Sequence, residues 1–242
     1  MQGSATAITV TAQPRRDAAP GHATAARRSR PAYRARMIDD PDGIADEAYL
    51  WLRSHLDGHL CFDGERRPVK IVLAPDGHIV APVMVAVLAS GDVVLELPDG
   101  EPDSMQLSVT PERFMERGED AALCDRWRIY HGDAPDVNWA RLAIDACRHA
   151  GYYVDAEAVI VPNALASIEP AACKAINADP ARLLKAIPGS ARTESKDVRV
   201  VGIDPDGMDV RRAFDVVRVP WPDGVEIATV EDAVAAVGSL VR

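Results

Sequence analysis

The stretch Val198 to Pro222, VRVVGIDPDGMDVRRAFDVVRVPWP, leaves a chain few ways to fold. Val198 and Val200 alternate with Arg199, and Ile203 precedes the turn Asp204-Pro205-Asp206-Gly207. Met208 and Val210 then resume the alternation, and Asp215 to Val219 forms a third β-branched run, stopped by Pro220. In the turn, Pro presets one dihedral, Asp bonds its own backbone and Gly tolerates positive φ. The pattern predicts three short strands, the first two a hairpin. A helix should follow over Val230 to Val241, opening at Thr229 with Asp232 as a variant of the capping box. The C-terminus therefore reads as a small β-rich unit closed by helix.

Charge and length set what such a unit can belong to. With 242 residues the chain suits one large or two ordinary domains. A formal net charge of -10 excludes nucleic acid as a main partner, because phosphate backbones demand a basic face. No apolar run approaches the ~20 residues of a membrane span. Cys61, Cys124, Cys147 and Cys173 are scattered without a CxxC pair, which suits reduced thiols in a cytoplasmic protein better than a disulfide framework.

Residues 1 to 36 stand apart. They hold Arg15, Arg16, Arg27, Arg28, Arg30, Arg34 and Arg36 against the single acid Asp17, with no apolar periodicity. The segment reads as a disordered basic extension, unable to bury enough surface to offset its ordering entropy. Its Arg- and Ser-rich, acid-poor composition also suits a transit peptide, and Met37 also suits a translation start.

Ile44 to Leu56 predicts an amphipathic helix, with Ile44, Ala48, Trp51, Leu52 and Leu56 near one face and Asp42 as its cap. His55 and His59 have i, i+4 spacing, but Gly58 interrupts the helix and no second ligand pair follows, so no metal site is expected. Val69 to Leu73, Ile79 to Leu88 and Val93 to Leu97 predict strands, parted by Pro75-Asp76-Gly77 and Ser90-Gly91-Asp92. These acidic turns lack the spaced oxygen ligands of a calcium loop. Met105 to Val109 predicts a strand, and Thr110-Pro111-Glu112 a short helix. Gly151 to Val161 reads as strand, and Glu169 to Ala186 as two helices, the second restarted at Asp179-Pro180.

Cys124 to His131, CDRWRIYH, carries the most chemistry. Read as a strand, it puts Asp125, Trp127, Ile129 and His131 on one face and Cys124, Arg126, Arg128 and Tyr130 on the other. Arg forks suit phosphate or carboxylate. That face reads either as an anion grip or as a solvated face paired with acids on a neighbouring strand, Trp139 to Cys147, where Arg141 and Asp145 oppose Leu142 and Ile144.

The segments Ile176 to Leu184 (INADPARLL) and Val201 to Pro222 resemble the flavin-binding split-barrel proteins related to pyridoxamine-phosphate oxidase, in particular their haem-iron-utilisation (HugZ-like) branch. The first is similar to that branch's Asn-x-Asp-His helix. The second is similar to its G-x-D-x-x-G-apolar-D hairpin and V-R-x-P-aromatic-P strand. The resemblance implies an α+β fold: an antiparallel split β-barrel over residues 37–165, then a small α/β C-terminal domain over 166–242. It also implies a homodimer with FMN or haem at the interface, and flavin- or haem-linked redox chemistry if the protein is an enzyme. Arg126, Arg128, Tyr130, Lys70 and His131 are then the expected cofactor-binding residues, with Arg67 as a further cation and His131 or His149 as the iron ligand. No catalytic residue is assigned. Pro180 stands where the branch has His, which opens a second reading: a degenerate scaffold that binds a partner protein through the arm 1–36.

Overall fold

A computed structural model describes residues 41–98, 104–136, 138–187 and 198–241. The predicted extension 1–36 and Met37 lie outside the described residues. The fold is α+β: an antiparallel split barrel followed by a small C-terminal α/β unit.

The first helix, α1 (Pro41–Ser54), starts before Asp42, so Asp42 lies inside it rather than capping it. Ile44, Ala48 and Leu52 are buried at the predicted spacing. Strands β1 (Asp57–Phe62), β2 (Glu65–Lys70), β3 (Val72–Leu73), β4 (Ile79–Val83), β5 (Val93–Leu97), β6 (Met105–Phe114), β7 (Asn138–His149) and β8 (Tyr152–Val154) form one sheet. Its order is β2-β1-β5-β6-β7-β4-β3, with β8 paired to β7. Only Ile71 separates β2 from β3. The sheet therefore begins and ends on one continuous stretch of chain, and the barrel is split where that stretch stops pairing with β1 and starts pairing with β4.

Four local expectations are corrected. Ile79 to Leu88 is not one strand: β4 pairs with β7 only as far as Val83↔Asn138, the first residue of β7. Beyond that point no ladder continues, and Val85–Ala89 turns into a short helix, α2, that buries Val87. Thr110-Pro111-Glu112 is not a helix start, because β6 runs on to Phe114 against β7. The β5 ladder ends at Val94↔Ser108, so Pro111 has only β7 beside it and its missing N–H interrupts no ladder on the other side. Gly151 to Val161 divides into β8 and a helical turn, α4 (Ala156–Val159).

The fourth correction bears on function. Cys124 to His131 is not a strand; it lies in helix α3 (Ala121–His131). Leu123, Cys124, Trp127 and Tyr130 are buried, a spacing that follows a period of 3.6 rather than 2. β7 pairs with β6, β4 and β8 instead of this segment. Within β7 the predicted alternation holds, with Leu142 and Ile144 buried while Arg141 and Asp145 face outward. The outward pair bond elsewhere: Arg141 to Asp76 at 2.9 Å, and Asp145 to Thr110 at 2.9 Å.

Helix α3 closes the split. Trp127 Nε1 donates to the Lys70 carbonyl at 2.8 Å and Arg126 Nε to the Leu73 carbonyl at 2.8 Å. His131 Nε2 lies 2.8 Å from the Ile71 carbonyl. Three helix side chains thus meet backbone oxygens at the point where the strand changes partners, groups that would be costly to leave unmet.

The C-terminal unit matches its predicted elements. Helices α5 (Glu169–Ile176) and α6 (Pro180–Ala186) precede strands β9 (Arg199–Asp204), β10 (Gly207–Arg211) and β11 (Val216–Pro220), and α7 (Val230–Ser239) closes the chain. Asp179 caps α6 by accepting from Arg182 N, and Thr229 with Asp232 makes a complete capping box on α7. A second hydrophobic cluster, including Leu183, Ile203, Met208 and Val237, lies among these elements. Val201 instead joins the barrel's cluster.

The edge of the three-stranded sheet is blocked by side chains. Asn177 Nδ2 donates to the Val200 carbonyl at 2.8 Å, and its Oδ1 accepts from Val200 N at 2.8 Å. Glu169 Oε1 accepts from Ile203 N at 3.2 Å, and Asn163 Nδ2 donates to the Ile203 carbonyl at 2.8 Å. These three residues take the place of a fourth strand and keep β9 from pairing further.

Candidate functional site

The five residues predicted to bind a cofactor do not share a face. Arg126 and Tyr130 point inward, toward the C-terminal unit. Arg126 Nη1 lies 2.8 Å from Glu169 Oε2 and Nη2 lies 2.9 Å from Oε1, a two-pronged pair whose carboxylate is buried. Arg126 Nη2 also donates to Tyr130 Oη at 3.1 Å, and Tyr130 Oη donates to Asp209 at 2.9 Å. Arg128, two residues along a helix rather than a strand, points away. It pairs with Glu116 on the surface, at 2.9 Å through Nη2, and packs over the Trp139 ring. Lys70 is exposed. His131 lies beside it, through the bonds that α3 makes to the Lys70 and Ile71 carbonyls.

A buried ionic network surrounds Arg126. Arg53 of α1 bonds Asp204 at 2.9 Å and the Val161 carbonyl at 2.9 Å. Arg218 of β11 pairs with Asp204, and with Asp209 at 3.1 Å. Arg53, Arg126 and Arg218 are balanced by Glu169, Asp204 and Asp209. The crevice lined by Arg53, Arg126, Tyr130, Asp204 and Asp209 has room for about one water molecule, about 10 Å³. The fit is close on the sheet side as well: a Cβ on Gly202 would come within 1.8 Å of Tyr130 Oη.

The titration of these groups follows from the packing. Burial opposes the charge on Asp204, but Arg218 and Arg53 outweigh it and hold its carboxyl below the usual range. Burial, then the Asp209 carboxylate, raise the Tyr130 phenol well above its ordinary value, so it stays a neutral donor. Burial lowers His131 to about 4; the Ile71 bond opposes this, and the Lys70 and Arg211 charges add to it. A neutral His131 with its proton on Nε2 donates to the Ile71 carbonyl.

His149, the other histidine considered as an iron ligand, is buried at 2% exposure at the end of β7. Its Nε2 lies 3.3 Å from Glu47 Oε1, and its ring sits 5.0 Å from Trp51, which stacks on His55 at 4.3 Å. No group of three or more His, Cys, Asp or Glu side chains suited to a metal ion occurs among the described residues, and all four cysteines are free. Among the described residues no helix is long and apolar enough to cross a membrane.

The outer wall of the barrel presents a different set. Register aligns His59, Glu96, Gln106, Arg148 and Tyr153 in one row across β1, β5, β6, β7 and β8. Pro68 continues that row on β2, and Arg66 and Lys70 flank it on the same face. Leu60, Leu95, Leu107, Cys147 and Val154 point to the other side and are buried. Arg148 bonds Gln106 at 3.4 Å, Arg66 pairs with Glu96 at 3.0 Å, and Tyr153 is 84% exposed. Sequence reasoning missed Arg148 and the roles of the buried acids Glu169 and Asp204 and the half-buried Asp209. The alternation of β7 was the available signal for Arg148, and the β10–β11 hairpin, which sets Asp209 opposite Arg218, was the signal for Asp209; Glu169 meets Arg126 and Asp204 meets Arg53 across long stretches of sequence that no local pattern spans.

No family model and no curated protein matches the chain. Its fold is similar to the crystal structure of Atu2129, a protein of unknown function from Agrobacterium tumefaciens strain C58. The TM-score is 0.61 at 16% identity, over 88% of this chain and 100% of that one. A haem-binding protein from Mycobacterium smegmatis aligns with a TM-score of 0.38 at 20% identity, over 82% of this chain and 96% of that one, a likeness too loose to bear on function. The split barrel with its C-terminal unit is thus a fold this chain has in common with a solved structure.

Proposed function

We propose that the chain is a split-barrel protein that binds flavin or haem on the outer wall of its barrel, where two copies of the chain meet. The observation that carries this reading is the barrel itself. Its inward side chains fill a continuous apolar core, so a planar cofactor has its place outside. The outer wall offers what an anionic planar ligand needs: cations for a phosphate or carboxylate in Lys70 and Arg148, and an exposed ring in Tyr153. The resemblance of the Val201 to Pro222 hairpin to the haem-iron-utilisation branch supports the same class of ligand. Arg126 serves this reading only indirectly, because Glu169 occupies its fork. Neither histidine considered as an iron ligand reaches this wall: His131 Nε2 is taken by the Ile71 carbonyl, and His149 is buried on the face of β7 opposite Arg148, so the anionic groups of the ligand carry the proposed binding.

Adding FMN or haemin to the purified protein and recording the visible spectrum after gel filtration tests the proposal. Retained, shifted absorbance with either ligand is expected, weakened by Arg148→Glu. Protein that emerges colourless from both ends the proposal.

A second reading, a non-catalytic scaffold for a protein partner, is favoured by one observation. The residues expected to grip an anion, Arg126 and Tyr130, are absorbed into a balanced internal network. Deleting residues 1–36 should then weaken capture of a partner in a pull-down while leaving the thermal transition in place. Unchanged capture would remove the arm from this reading.

A further inference from the structure

We draw no further inference here: the strongest candidate, the side-chain cluster of buried His149 with Glu47, Trp51 and His55 between α1 and the end of β7, belongs to the reading already given for His149, and nothing in the structure shows a ligand that it would meet.

Discussion

At the scale of single residues, the structure separates two arginines that the sequence places side by side. Arg126 lies in a largely buried pair with Glu169, and Arg128 in an exposed one with Glu116. Removing one partner of a buried pair leaves an uncompensated charge, so Glu169→Ala should cost about 3 kcal/mol or more in chemical denaturation. Arg128→Met should cost less than about 1 kcal/mol. The double variant Arg126→Met/Glu169→Met should cost less than the two single changes together, and additivity would contradict the pairing. His131 gives a prediction in pH. Its ring is lowered from 6.5 to about 4 in the folded chain, so the unfolded chain binds the proton more readily between those values. Stability is therefore fully present above about 6.5 and is lost as pH falls toward 4, by at most about 3 kcal/mol. His131→Asn should flatten that slope in a series of thermal melts; an unchanged slope would mean that the ring does not control it. The arginines were legible in sequence as residue types with a chemistry, but their partners were not. Glu169 lies 43 residues from Arg126, and Asp204 lies 151 residues from Arg53. Such pairs exist only after the chain has folded.

At the scale of elements, the strongest sequence signals were those in which local chemistry and tertiary pairing agree. The Asp204 to Gly207 turn, the cap at Asp179 and the capping box at Thr229 all occur where their residues predict them. The errors fell where pairing partners decide. Thr110-Pro111 carries helix-start chemistry, but β7 holds it as strand through Phe114. CDRWRIYH has too few residues for a period of 2 to be told from one of 3.6, and the burial of Leu123 just before it settles the helix. Asn177 shows a role that no propensity reveals, since it replaces a strand for Val200. Asn177→Ala leaves that donor and acceptor unmet and opens the β9 edge. A loss of about 1–3 kcal/mol and faster aggregation near the midpoint are expected. Light scattering during a thermal ramp checks this, and a variant that melts and scatters like the parent would show that the edge is protected by other means.

At the scale of the whole molecule, the balanced network ties α1 and α3 of the barrel to α5 and the three-stranded sheet. Gly202 allows Tyr130 to approach that sheet closely, and Val201 joins the barrel's core. These contacts make the inner side of the C-terminal unit a structural joint; the ligand proposed above sits instead on the outer wall of the barrel, at Lys70, Arg148 and Tyr153. The measurement that tests this most directly is a titration of the protein with FMN and with haemin, read as visible absorbance and followed by sedimentation. The proposal predicts saturable binding of one of them by a species twice the mass of the chain, weakened by Arg148→Glu and unaffected by Arg128→Met. Binding of neither, or binding lost with Arg128→Met and kept with Arg148→Glu, would contradict it.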